Sequence, residues 1–181
     1  RTFFKSQNKE VITFVGYSGA EYEDKMAMLE KAGLILDEFV ASETIVNIGA
    51  TSEGIGAVYE LAKRKGFITT GIVSTQAKKY SAALSPCVDY VFYVEDDTWG
   101  GFLKGSDRLS PTSTAMVENS DVLIGIGGGE VARDELLAAK RSGKAVRFIP
   151  ADMNHQKAID KAAKKGLPPP TSFEGAAAEL F

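Results

Sequence analysis

The stretch IVNIGATSEGIGAVYELAKRKG, residues 45–66, decides the fold. Ile45–Ile48 is a short apolar, β-branched run, Gly49-Ala50-Thr51-Ser52-Glu53-Gly54-Ile55-Gly56 is a glycine-rich turn, Gly56–Lys65 is helical in pattern, and Gly66 stops that helix and leads into the next apolar run. This is a strand, a tight turn and a helix that crosses back to a further strand. The same unit recurs along the chain. Apolar runs of strand length stand at Val11–Val15, Ile45–Ile48, Phe67–Val73, Val88–Val94, Val122–Ile126 and Ala145–Ile149. Between the first two, Glu21–Val40 carries Met26, Leu29, Ala32, Leu36 and Phe39 along one helical stripe, and Val131–Arg141 is a third helical stretch, closed by Gly143. Strands that are nearly continuous in apolar character, alternating with helices, predict an α/β fold: a three-layer architecture with a mainly parallel sheet, spanning residues 1–181 as a single domain.

The composition agrees. The chain has 181 residues, 44% hydrophobic and 25% charged, enough for one core that buries roughly 70% of the unfolded surface. Its single cysteine, Cys87, forms no intrachain disulfide and no CxxC site, and reads as a small buried hydrophobe in a reducing, cytoplasmic protein. Apolar runs break well short of the ~18–20 residues that span a bilayer, so no membrane is expected. A net charge of -3 and a pI near 5.3 supply no basic field for nucleic acid. A small-molecule partner is the better expectation, and no spacing of His, Cys or carboxylates suggests a metal.

Three glycine-rich turns follow predicted strands: Gly16-Tyr17-Ser18-Gly19, Gly49–Gly56, and Gly125-Ile126-Gly127-Gly128-Gly129. In an open parallel sheet those turns share one edge, where ligands bind. Glycine lets backbone N–H groups approach an anion, and the following helix N-terminus adds a favourable dipole, so a phosphorylated small molecule is the expected guest. On this reading Gly16, Tyr17, Ser18, Gly19, Gly49, Ala50, Thr51, Ser52, Gly54, Gly127, Gly128 and Gly129 are binding residues. The turn at 49–56 is not a P-loop, since Ile55 and Gly56 stand where Lys and Ser/Thr would be. A GxGxxG fingerprint with an acidic residue ending the second strand is absent as well, which disfavours ordinary NAD chemistry.

The stretches VITFVGYSG (11–19), IVNIGATSEGIGAVYELAKRKG (45–66), MVENSDVLIGIGGGEVARDEL (116–136) and GKAVRFI (143–149) resemble the LOG family, formerly labelled lysine decarboxylase-like, of the SLOG nucleotide-binding superfamily. The resemblance covers most of the chain. It implies a Rossmann-like fold, a nucleoside monophosphate or related ligand, a homodimer, and for LOG enzymes cleavage of an N6-substituted AMP into base and ribose 5-phosphate. The family signature PGGxGTxxE follows a Met that is itself preceded by an Arg-Lys pair. Gly128, Gly129 and Glu135 fall on the two glycines and the glutamate, and Met116 falls on the methionine. Gly127 stands for the proline, Val131 and Ala132 for Gly-Thr, and Thr112-Ser113 for Arg-Lys. Thr112 and Ser113 are therefore ligand candidates.

From the residues alone, Glu130 and Asp134 lie one turn apart on a helix face, Glu135 lies about 100° round, and Arg133 is placed to pair with a phosphate. Carboxylates there accept ribose hydroxyl bonds, stabilise an oxocarbenium-like centre, or merely suit a helix N-terminus. Glu135 and Asp134 are the catalytic candidates. The long segment Glu95–Ser110, with Trp99 and the Gly100-Gly101 pair, reads as a lid or a solvated insertion, and Ser110-Pro111 as a helix cap. His155 is a possible proton donor or an idle surface residue. Two functions stay open. One is a binder of a nucleotide or nucleotide-derived cofactor, resembling molybdenum-cofactor carriers. The other is a phosphoribohydrolase-like N-glycosidase that requires no cofactor for the hydrolysis.

Overall fold

The computed structural model describes residues 2–181. Among them a six-stranded sheet is formed by β1 (Glu10–Gly16), β2 (Thr44–Ile48), β3 (Ile68–Ser74), β4 (Tyr90–Val94), β5 (Val122–Ile126) and β6 (Ala145–Ile149), in the order β4-β3-β2-β1-β5-β6. Every pairing is parallel, so the sheet is wholly rather than mainly so. The helices are α1 (Thr2–Gln7), α2 (Lys25–Leu36), α3 (Val58–Arg64), α4 (Gln76–Lys79), α5 (Pro111–Glu118), α6 (Glu130–Arg141) and α7 (His155–Lys164).

Alternation along β1 distributes its side chains between two cores. Ile12 and Phe14 pack with Met28, Ala32 and Leu36 of α2 and Val58, Tyr59 and Ala62 of α3. Val11 and Val15 pack with Met116 and Val117 of α5 and Ala132, Leu136 and Ala139 of α6. Three layers result, as expected. Between the strands a buried polar chain links Thr70 Oγ1 to Asn47 Oδ1 at 2.8 Å and Asn47 Nδ2 to Thr13 Oγ1 at 3.2 Å, which satisfies these groups away from water.

The expected helix at Glu21–Val40 is shorter at both ends. Tyr22 bridges to Met153 outside the helix, and Asp24 accepts the Ala27 N–H at 2.9 Å, so helix formation begins at Lys25. At Gly56–Lys65 a 3-10 turn over Gly54–Ala57 precedes α3, because a Cβ on Gly56 would sit 1.9 Å from the Thr51 carbonyl oxygen and the chain turns tightly there. Glu95–Ser110 contains no strand or helix, only a bridge between Phe102 and Leu109. Ser110 caps α5, accepting the Ser113 N–H, with Pro111 as the first helical residue. Cys87 is only partly buried.

One reversal of strand order places the site. Connections from β1 to β4 run one way across the sheet, whereas β5 returns to the other side of β1. The turns after β1 and β5 thus diverge and leave a crevice at the carboxyl edge.

Candidate functional site

At that edge lies a cavity of about 530 Å³, within the range of small-molecule pockets. Its floor is made by strand ends: Phe14, Val15 and Gly16 from β1, Ile48 and Gly49 after β2, and Ile72, Val73 and Ser74 from β3. One wall is Ser18, Gly19, Thr51 and Glu53, with Ser18 Oγ 3.0 Å from Thr51 Oγ1. Opposite stand Thr112 and Met116 of α5 and Val131, Ala132 and Glu135 of α6. Ala77, Ala82, Ala83, Leu84 and Trp99 complete the rim. None of the lining residues is Lys, Arg or His. Its charged members are Glu53 and Glu135.

Of the residues expected from sequence, Gly16, Ser18, Gly19, Gly49, Thr51, Thr112 and Glu135 meet at this cavity. The others lie outside its lining. Tyr17 is buried, and its hydroxyl lies 2.7 Å from the Ala151 carbonyl and 2.8 Å from that of Glu174. Ala50 has φ 65°, receives no ligand-facing role, and donates its N–H to Tyr59 Oη at 3.1 Å. Ser52 is exposed against Ala83. Gly54 faces the Tyr17 carbonyl oxygen and donates to Glu21 Oε1 at 2.9 Å.

The third glycine turn is not an open cradle. Gly127 donates to the Ile149 carbonyl and lies under the Tyr17 ring, while the Gly128 carbonyl accepts the Ala177 N–H at 3.0 Å. The segment 173–181 folds back over this turn, and its role was invisible to local sequence reading. The turn's contribution is to aim α6. Gly129 at the N-cap offers no side chain, so the first-turn N–H groups of a twelve-residue helix are left uncapped beside the cavity-lining Val131 and Ala132.

The acidic cluster separates by direction. Glu130 is exposed. Asp134 turns to the 95–110 segment, where its Oδ2 accepts the Phe102 N–H at 2.8 Å and its Oδ1 lies 3.1 Å from Arg133 Nε. Arg133 also lies 3.7 Å from Glu179, so it is engaged with carboxylates rather than poised for a phosphate. Glu135 points into the cavity, 5% exposed, and accepts the Ser113 hydroxyl proton at 2.7 Å. Burial raises its carboxyl to about 7, the Ser113 bond opposes this, and the nearby Asp134 charge adds to it.

Ser113 does not line the cavity. Its Oγ accepts the Gly101 N–H at 2.8 Å while donating to Glu135. Thr112 does line it, is 4% exposed, and its Oγ1 makes no hydrogen bond of acceptable geometry. The Thr112 backbone N–H, by contrast, donates to Asp96 Oδ2 at 2.9 Å. Burial opposes ionisation of Asp96, but the N–H of Thr112 and the N–H and hydroxyl of Thr98 outweigh it and bring the carboxyl to about 2. His155 is remote in contacts, held between Asp152 and Glu23 and stacked on Phe173 at 4.1 Å. Glu53 lies within the second glycine turn without having been singled out, and Ser74 and Ala82–Leu84 carry no motif that marks them. Among the described residues no group of His, Cys, Asp and Glu is arranged for a metal, and no helix is long and apolar enough to cross a membrane.

No protein-family model matches the chain, and no curated protein matches it. Solved structures do. The molybdenum cofactor binding protein of the phototrophic bacterium Rippkaea orientalis is 20% identical over 95% of this chain and 94% of its own, with a TM-score of 0.57. The Moco carrier protein of Chlamydomonas reinhardtii is 18% identical over 95% of each chain, with a TM-score of 0.55. The structural-genomics target TM1055 is 20% identical over 76% of this chain and 72% of its own, with a TM-score of 0.54. At these identities the likeness establishes the fold.

Proposed function

We propose that the cavity binds a nucleotide or nucleotide-derived cofactor, and that the protein acts as a binder of this small molecule. The observation that carries this reading is the Thr112 hydroxyl. A buried hydroxyl without a hydrogen bond costs stability, and this one lines the cavity beside the uncapped start of α6. A phosphate oxygen accepts from both kinds of donor, which lets a cavity without basic side chains hold an anion through backbone and hydroxyl dipoles. Trp99, with Ala77 and Leu84, offers an apolar surface for a heterocyclic ring. The structural likeness to two proteins described as molybdenum cofactor binders or carriers supports the class of ligand.

A hydrolase reading draws on Glu135, a buried carboxyl shifted towards neutrality in a pocket, as an acid–base group would be. It is weakened by Asp134, which faces away, and by Thr112 and Ser113 in the places of the family's Arg-Lys pair. Calorimetric titration with a panel of nucleoside monophosphates, run beside an assay for free base, decides between the two. Binding without base release is expected. Base release during incubation would make the protein a phosphoribohydrolase, and the absence of binding by the whole panel, together with no co-purifying nucleotide-like molecule by native mass spectrometry, would remove the ligand class.

A further inference from the structure

The segment bearing Trp99 is tied to the cavity carboxylate by one continuous chain of donors. Gly101 N–H donates to Ser113 Oγ at 2.8 Å, and Ser113 Oγ–H donates to Glu135 Oε2 at 2.7 Å. Ser113 is fully buried, and a hydroxyl has a single proton, so its direction is set by what Glu135 accepts. Gly100 and Gly101 have φ values of 133° and 85°, and a Cβ on Gly100 would lie 2.9 Å from Ser113 Oγ, so the backbone approaches this hydroxyl as only glycine allows. Trp99, next in the chain, is 51% exposed and lines the cavity rim beside Tyr80.

We propose that Gly101, Ser113 and Glu135 form a relay through which the charge on Glu135 sets how tightly the Trp99 segment closes over the cavity. A carboxylate accepts the Ser113 proton about twice as strongly as a neutral carboxyl does. Fixing that proton leaves the Ser113 lone pairs directed at Gly101, and hydrogen bonds in series reinforce one another. When Glu135 takes up a proton the Ser113 hydroxyl is freed to rotate, and the Gly101 tether weakens. The charged groups around Glu135 are consistent with a carboxyl that changes charge near neutral pH: Asp134, turned to the 95–110 segment but next on the same helix, raises it, Glu53 shares the cavity lining, and Asp96 of the 95–110 segment accepts the Thr112 N–H, with Arg133 already paired to Asp134 and Glu179. Ser113 is on this account a positioning residue. The segment is a lid only insofar as the cavity is the ligand site, but the relay itself stands without any ligand.

Trp99 is the single tryptophan of the chain, so its fluorescence reports the segment directly. Acrylamide quenching of the full chain, without ligand, is measured between about pH 5 and pH 9, where an ordinary carboxylate does not titrate. Quenching of wild type is expected to be about twofold stronger at the acidic end, with its midpoint near the carboxyl's value of about 7. Glu135→Gln should remove the pH dependence. Ser113→Ala should quench strongly at both ends while the Glu135 carboxyl, followed by NMR, titrates higher. A flat wild-type profile, or a titration that survives in Glu135→Gln, overturns the proposal. Should Ser113→Ala fail to fold by circular dichroism, the comparison of wild type with Glu135→Gln still decides. Nucleotide affinity plays no part in this readout, so its failure leaves the binding reading standing.

Discussion

Gly128 and Ala132 approach so closely that a Cβ on Gly128 would lie 2.6 Å from the Ala132 Cβ. Gly128 also has φ 138°. This contact, one turn apart across the start of α6, fixes the helix entrance against the sheet edge. Gly128→Ala is therefore expected to destabilise the fold itself, by about 2 kcal/mol or more, from overpacking and backbone strain together. At the neighbouring Gly129 a Cβ would meet nothing within 4 Å, and φ is -92°. Gly129→Ala should shift the urea midpoint little, and equal losses in the two variants would contradict this account of the turn.

Thr112→Val replaces an unbonded buried hydroxyl with a methyl group of nearly the same shape. Stability should hold or rise, because the polar group that goes makes no hydrogen bond of its own in the folded chain. Affinity for a bound nucleoside monophosphate should fall by roughly fivefold, the equivalent of about 1 kcal/mol for one hydrogen bond. Thermal melts and calorimetry on the same preparation separate the two effects.

Glu135 makes stability depend on pH in an unusual direction for a carboxyl. Its folded value of about 7 lies above the ordinary carboxylate range, so the folded state holds a proton that the unfolded chain releases. Stability from this group is present below the unfolded value and declines as pH rises towards 7, then levels off. Glu135→Gln should flatten that limb and stabilise the protein above neutrality, on the order of 2–3 kcal/mol. Denaturation curves at acid and mildly alkaline pH check the sign.

Tyr17→Phe removes a buried hydroxyl shared between the Ala151 and Glu174 carbonyls. A cost of about 1–2 kcal/mol is expected, together with looser attachment of residues 173–181. Limited proteolysis should then cut near Phe173 sooner than in wild type. Unchanged protection would mean that Gly175 and Ala177, packed on Gly128, hold the segment by themselves.

Most of the sheet could be read from sequence because a buried parallel strand is nearly continuous in apolar residues, as Val122–Ile126 is. The start of α2 was harder. The apolar stripe continues past Asp24 into Tyr22, yet Tyr22 leaves the helix to donate its hydroxyl to Ile126. Glu135 is legible from its place after the paired glycines, and it lines the cavity. The glycines also have a packing reason that sequence does not show. Gly16, Gly54 and Gly127 are glycine because Tyr22, the Tyr17 carbonyl and the Tyr17 ring occupy the space of a Cβ. Such long-range contacts leave no local signature. Arg133 and Asp134 likewise have partners that reach them from distant parts of the chain, Glu179 and the Phe102 N–H.

The placement of β5 beside β1 governs when the cavity comes into being. Val11 N–H bonds Asp121 across 110 residues of sequence, at the start of a parallel pairing that no short connection can bring together. Closing so large a loop is entropically costly and tends to be slow, whereas β1 to β4 follow one another across one side of the sheet. The wall with Ser18 and Thr51 belongs to that early-paired half, but Glu135 and the α6 entrance arrive only with β5. During refolding, amides of β2 and β3 should gain protection from hydrogen exchange before those of β5 and α6, and the ability to retain a small molecule should appear only with the later set.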